Sequence, residues 1–168
     1  MILSDGEIRK AIADGEIVID PNPAEKQYAT SAVDLLLGKD IFELKSRDEL
    51  EAEEPAGAER ELIVNTLKIQ IPAFLQKYSR PLNSEADGYY ILPPGKFVLG
   101  ITKEYVDLPR RSKIAARVED RSTLARLGLL VHFTAPTIHA GFNGNIVLEM
   151  LNLGAYPLRL TRHELAVC

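Results

Sequence analysis

The chain has 168 residues, 46% of them hydrophobic and 26% charged, with a formal net charge of −4. Such a length fits one domain over residues 1–168, and the mix is that of an ordinary globular protein. The acidic balance argues against binding to a nucleic-acid polymer, which leans on net positive charge, while leaving room for a small anion held by a local cluster.

Ser4 and Glu7 form an S-x-x-E capping box ahead of Ile8, Ala11 and Ile12 at helical spacing, and Gly15 is a stop. A short N-terminal helix over residues 5–14 is expected. Ile17–Ile19 reads as a strand closed by Pro21 and Pro23. Val33–Leu37, within SAVDLLLG, reads as the next strand, ended by Gly38. Residues 46–61 are acidic and lack apolar periodicity. They read as a surface loop, with a short solvated helix over 47–54 as the alternative.

Short strands with turn punctuation follow. Leu62–Ile71, Tyr89–Leu92, Phe97–Thr102, Lys113–Val118, Leu129–Phe133, Asn145–Leu151, Pro157–Leu160 and Leu165–Val167 complete the set. This pattern predicts a mainly β fold, a barrel or jelly-roll-like sandwich. No apolar run approaches the roughly 20 residues of a membrane helix. The N-terminus has no secretory pattern, so a cytoplasmic protein without membrane attachment is expected.

Two stretches carry chemical promise. Arg121-Ser122-Thr123-Leu124-Ala125-Arg126 places two guanidiniums, two hydroxyls and a run of backbone N–H groups in one turn. That inventory suits phosphate oxygens. The alternative is a solvated surface on which Arg121 and Arg126 pair with Glu119 and Asp120. The second stretch is Thr134–Asn152, where Gly141-Phe142-Asn143-Gly144 marks a tight turn. A plain hairpin is the simplest reading of that spacing, with Phe142 as a ligand platform or part of the core.

In the strand after the turn, Glu149 is a lone carboxylate among apolar residues. Alternation puts it on one face with Val147 and Leu151, and Ile146, Leu148 and Met150 on the other. A half-buried carboxylate suits general acid/base work, and a structural ion pair with an arginine is the alternative. His132 reads as a hydrogen-bonded structural residue in a strand. His139, just before the glycine turn, is better placed to face a ligand. The basic run Pro109-Arg110-Arg111 with Lys113 reads as a solvated turn.

Cys168 is the only cysteine and the histidines are His132, His139 and His163. No intrachain disulfide is possible, in keeping with a reducing compartment. Zinc-dependent nucleobase deaminases need H-x-E and P-C-x-x-C patterns, and neither is present.

Ser31–Gly38 (SAVDLLLG), Val118–His132 (VEDRSTLARLGLLVH) and Thr134–Asn152 together resemble the dCTP deaminase family, in the superfamily shared with trimeric dUTPases. The start MILSDGEI and the end LRLTRHELAVC also fit. The resemblance implies a distorted jelly-roll of the dUTPase-like type and a homotrimer with sites at subunit contacts. It implies zinc-free conversion of dCTP and water to dUTP and ammonia, with Mg2+ accompanying the triphosphate.

Residue by residue, the resemblance assigns the general acid/base to Glu149. It assigns water positioning to Ser122 with the carbonyl of Ala135, and places Arg126 beside the glutamate. Arg121 and Thr123 fall among the phosphate-binding residues, within the Arg121–Arg126 turn that includes Leu124 and Ala125. Val147 and Leu148 fall along the base. His139 stands where the family commonly has an aspartate that contacts the sugar, and trimeric dUTPases use that aspartate to orient water. Asp120 stands where a glycine is usual. Family members continue past the position of Cys168 into a tail that closes over the nucleotide, so a truncated chain or a differently completed site is expected. A dUTPase, a bifunctional deaminase–dUTPase, and a non-catalytic nucleotide-binding regulator are the alternatives.

Overall fold

The computed structural model describes residues 1–53, 67–82, 88–161 and 166–167. In chain order the elements are helix α1 (Asp5–Ala13), strands β1 (Val18–Asp20), β2 (Tyr28–Ala29), β3 (Ala32–Val33) and β4 (Leu35–Leu44), helices α2 (Arg47–Ala52) and α3 (Ile71–Tyr78), strands β5 (Ser79–Pro81), β6 (Tyr89–Leu92), β7 (Phe97–Asp107) and β8 (Ala116–Arg117), helix α4 (Ser122–Ala125), and strands β9 (Leu129–Leu130), β10 (Thr137–Ile138), β11 (Asn143–Asn152), β12 (Leu158–Thr161) and β13 (Ala166–Val167). The principal sheet runs β13-β4-β7-β11-β9, with β1 added to β7 and β5 to β4. Three antiparallel ribbons, β10-β8, β12-β6 and β2-β3, complete a mainly β fold. Among the described residues no helix is long and apolar enough to cross a membrane.

The core forms because the long strands alternate. Along β7, Val98, Gly100, Thr102, Glu104 and Val106 are buried; along β11, Ile146, Leu148 and Met150 are. Leu37 and Ile41 of β4 join them, and the β6–β12 ribbon adds Tyr90, Leu92 and Leu160 to the same cluster. The N-terminal helix is capped as expected, Ser4 Oγ accepting from the Glu7 N–H and Glu7 accepting from the Ser4 N–H.

Five expectations change on contact with the fold. Gly38 does not end its strand: β4 runs through it to Leu44. A Cβ there would lie 2.7 Å from the Ile101 carbonyl oxygen. The residue is glycine because two strands approach closely where the β4–β7 register shifts. Part of the expected 46–61 loop is α2, capped by a second box, Ser46 with Glu49; residues 54–61 lie outside the described residues. The expected strand Leu62–Ile71 also lies partly outside them, and its described end is a turn entering α3, which carries Pro72 in its first turn. Lys113 cannot open a strand because its backbone is left-handed at φ 56°, so β8 shrinks to Ala116–Arg117. The strand expected over Leu129–Phe133 keeps only Leu129–Leu130, and His132 lies beyond it.

Two polar clusters hold elements together. Glu43, 4% exposed, pairs with both Arg80 and Lys96, and Arg80 Nε also lies 3.1 Å from Glu49 Oε1. This staples α2 and β5 to β4. Asn152 is fully buried at the end of β11. Its amide nitrogen donates to the Leu92 and Tyr156 carbonyls at 2.9 Å each, and its oxygen accepts from the Gly154 N–H at 2.9 Å. One side chain thus ties β11 to the β6 edge and to the loop beyond.

The close approach at Gly38 predicts opposite effects for two glycine substitutions. Gly38→Ala drives a methyl against backbone and costs about 1–3 kcal/mol. Gly6→Ala, in α1 with nothing within 4 Å of its Cβ, gains about 0.5–1 kcal/mol. Denaturant midpoints measured side by side check both signs.

Candidate active site

The acid is placed by strand parity. Register pairs Leu148 with Gly100, Glu149 with Leu99 and Met150 with Val98. Gly100 leaves room there for Met150 and Leu37, since a Cβ would lie 2.6 Å from Met150 Cε and 2.9 Å from Leu37 Cδ1 and displace those side chains. With Leu148 and Met150 locked inward, Glu149 faces outward, half-buried beside Val147, which is 54% exposed. Just before it, the β7–β11 register shifts between Asn145 and Val147. The Ile146 N–H is satisfied there by Thr102 Oγ1 at 2.9 Å. Glu149 Oε2 accepts from the Phe133 N–H at 3.3 Å. This brings the carboxylate to the segment that carries Ala135, itself exposed.

The arginine-and-hydroxyl turn is one turn of helix. Its later N–H groups are spent internally: Leu124 and Ala125 donate to the Arg121 carbonyl at 2.8 and 3.0 Å, and Arg126 to Ser122 at 3.1 Å. What α4 offers outward is its side chains and the first N–H groups of the turn. Leu124 packs against the core, leaving Arg121, Ser122, Thr123, Ala125 and Arg126 exposed. The turn is bolted to the end of β11. Leu129 and Leu130 pair with Asn152 and Leu151, and the Leu153 N–H donates to Gly128 at 2.7 Å. Gly128 sits at φ +89°, where an added Cβ would collide with the backbone of Gly154.

The charges around this turn are not arranged as the solvated-surface reading would have them. Arg117 pairs with Glu119 at 3.2 Å, while Arg121 Nη1 lies 3.4 Å from Asp34 Oδ2. Among the described residues Arg126 has no ion-pair partner within the chain. Asp120 turns inward: its Oδ1 accepts from the Val131 N–H at 3.0 Å and lies 4.0 Å from His132 Nδ1. Burial pushes its pKa above the ordinary value, opposed by that N–H and by His132. His132 Nδ1 itself is buried without a hydrogen bond, contrary to the expected satisfied histidine.

The glycine turn is not a hairpin, because β10 pairs with β8 while β11 pairs with β7 and β9. It docks on the end of β7 instead. The Gly141 N–H donates to Leu108 at 2.6 Å and the Leu108 N–H to Phe142 at 2.9 Å. Phe142 packs against the core, and His139 is exposed at the head of the turn.

Among the described residues, no hydrogen bond or ion pair within the chain joins Glu149 to Arg121, Ser122, Thr123 or Arg126. The strand places the acid and the turn near one end of the sheet without closing one on the other. Residues that sequence reasoning passed over are Asp34, Gln27, Glu104 and Asn152. Glu104 could have been found by extending to β7 the alternation used for Glu149. Asp34 gave no such signal, because its partner Arg121 is distant in the chain.

Residues 2–166 match the family model described as dCTP deaminase-like. A Methanosphaera stadtmanae protein named "dCTP deaminase, dUMP-forming" is 38% identical over 161 residues, covering 95% of this chain and 72% of its own. A Rhodospirillum rubrum protein named "dCTP deaminase" is 37% identical over 171 residues, covering 100% of this chain and 80% of its own. The solved 2′-deoxycytidine 5′-triphosphate deaminase of Agrobacterium tumefaciens superposes with a TM-score of 0.69 at 19% identity. It covers 99% of this chain, while this chain spans 46% of it, and the likeness speaks for the fold.

The buried position of Asp120 carries a prediction of its own. A carboxyl whose folded pKa is raised binds its proton more tightly when folded, so it subtracts stability as pH rises through the window above 3.8. Asp120→Asn keeps the acceptor for Val131 and removes the charge. The variant is expected to gain stability at neutral pH and to match the parent below that window, read by denaturant unfolding at both pH values.

Proposed function

Because this chain belongs to the dCTP deaminase-like family, we propose that it hydrolyses the C4–N bond of the cytosine in dCTP. The observation that carries the reading is Glu149: an outward, half-buried acid in an otherwise apolar strand, held by one backbone N–H beside Ala135. Glu149 takes a proton from water, and the hydroxide adds to C4. That proton goes to N3, and Glu149 then moves the proton of the new C4 hydroxyl to the departing amine, so that dCTP and water become dUTP and ammonia. Ser122, with the Ala135 carbonyl, positions the water. Arg126 stands beside the acid and favours its ionised form. Arg121 and Thr123 take phosphate oxygens, the backbone of Val147 and Leu148 lies along the base, and His139 donates to the sugar.

The acid and the turn belong to different subunits of a homotrimer in this reading. Two observations support it. No intrachain bond joins them among the described residues, and Arg126 is exposed without an ionic partner there. Val147, Leu127, Leu153 and Phe133 are also apolar and 54%, 55%, 65% and 44% exposed on the strands and loops that carry the site, as an interface requires. Magnesium enters as part of the substrate, on the triphosphate. The guanidiniums and hydroxyls of the turn fit the phosphate oxygens rather than the ion. Zinc has no place in the mechanism, since the sequence has neither the H-x-E nor the P-C-x-x-C pattern.

A second reading, in which the triphosphate is also cut to give dUMP and pyrophosphate, is favoured by the "dUMP-forming" name of the M. stadtmanae relative. His139 speaks against it, standing where trimeric dUTPases resemble one another in having a water-orienting aspartate. Product analysis with Mg2+ and dCTP separates them. Ammonia with dUTP is expected; ammonia with dUMP and pyrophosphate selects the second reading; binding without turnover leaves a nucleotide-binding regulator.

Glu149→Gln is expected to lower kcat by about 10²–10⁴-fold while dCTP still binds. Arg126→Ala should lose most activity and remain folded. Full activity in Glu149→Gln would remove the acid from the mechanism, and loss of the oligomer in Arg126→Ala would make that arginine structural.

A further inference from the structure

Behind the arginine-and-hydroxyl turn lies a polar network that the proposed chemistry does not use. Asp34, 8% exposed, joins β3 to β4. Its N–H donates to the Gln27 carbonyl at 2.7 Å, and its own carbonyl accepts from Gln27 Nε2 at 2.8 Å. The same Gln27 nitrogen donates to Glu104 Oε1 at 3.2 Å, while Glu104 Oε2 accepts from the Leu36 N–H at 2.8 Å. Gln27 Oε1 accepts from the Ala24 N–H at 2.9 Å. Glu104 is 1% exposed and Gln27 8%. The backbone on both sides of Asp34 is thus gripped by buried groups of β7 and of the turn before β2.

A residue fixed in this way holds its side chain at one place with little further loss of entropy. Asp34 Oδ2 is 3.4 Å from Arg121 Nη1, with the Asp34 side chain 12% exposed and that of Arg121 51%. A guanidinium has five donors in a rigid fork. An anchor at one terminal nitrogen restrains its long side chain and leaves other donors directed to solvent.

We propose that Asp34 is a positioning residue for the anion-binding turn: braced by Gln27 and Glu104, it orients Arg121 so that the free donors of the guanidinium meet polyphosphate oxygens. The identity of the anion as a nucleoside triphosphate rests on the proposed function; the bracing does not. The carboxylate repels an incoming phosphate, and the preorganised arginine outweighs that repulsion, because a restrained fork loses less freedom for each bond it makes.

Titration calorimetry with inorganic tripolyphosphate tests this on the full chain. Asp34→Asn, which keeps size and loses charge, is expected to weaken binding about tenfold, the scale of one charge-assisted hydrogen bond. Arg121→Ala weakens it as well, and the double variant binds no more weakly than Arg121→Ala alone, since Asp34 acts only through Arg121. Equal or tighter binding by Asp34→Asn overturns the proposal, as do losses that add in the double variant, or a parent protein that does not bind tripolyphosphate. If Asp34→Asn does not fold, Asp34→Glu, which keeps the charge and displaces it by one methylene, takes its place with the same expectation. With dCTP, the Asp34 variant should raise KM and leave kcat close to the parent value, a split that a merely structural defect does not produce. A parent that shows the tripolyphosphate coupling yet never deaminates dCTP defeats the functional reading and leaves the role of Asp34 standing.

Discussion

The antiparallel pairing of β11 with β7 decides almost everything else about this molecule. Both strands alternate between a core face and an outer face, and a shift of one residue would exchange the two. Leu148 and Met150 are buried on the core face, where the Met150 and Leu37 side chains close over Gly100. That contact fixes the parity of the whole strand, and with it the outward aim of Glu149. The same pairing sends Glu104 of β7 to the opposite, fully buried face. Two glutamates in neighbouring strands thus acquire different work. Glu149 sits half in solvent with one backbone donor. Glu104 is closed off from water, with both oxygens receiving hydrogen bonds, and it braces the chain around Asp34.

The end of β11 extends this constraint to the turn. Asn152 fills three hydrogen-bonding roles at a point where no water reaches. Gly128 and Gly154 then allow the chain leaving α4 to lie against the loop beyond β11. The turn needs this attachment because, with four helical residues, it cannot hold its own shape. Leu124 points one side of it into the core, and the arginines and hydroxyls are left on the other.

Much of this was legible in the sequence where the determinant is local. The Ser4–Glu7 box marked α1, and alternation within Ile146–Leu151 separated the two faces of its strand without telling which of them is the core. The turn Arg121–Arg126 and the acid Glu149 were likewise evident as side-chain inventories. What was not legible depends on partners distant in the chain. Gly38 reads as a stop until the Ile101 carbonyl is seen beside it. Asp120 reads only as a departure where a glycine is usual, and its inward turn to Val131 depends on how the chain folds back after Gly128. The link from Arg121 to Asp34 joins the start of α4 to the connection between β3 and β4, far apart in the chain, and leaves no periodic trace. Helix α2 is a different case: its Ser46–Glu49 box was present, but the acidic, non-periodic run around it outweighed the local signal.

The fold presents the proposed acid and the arginine-and-hydroxyl turn toward one end of a sheet, with no bond joining them among the described residues. In the proposed homotrimer, one subunit lends its turn to the acid of the next. Mixed oligomers test that arrangement most directly: Glu149→Gln chains are dissociated, recombined with Arg126→Ala chains, and assayed for ammonia release from dCTP. If the acid and the arginine come from different subunits, some sites in the mixture receive an intact copy of each, and activity returns although neither variant has it alone. Recombined oligomers that assemble normally and stay inactive would contradict the account.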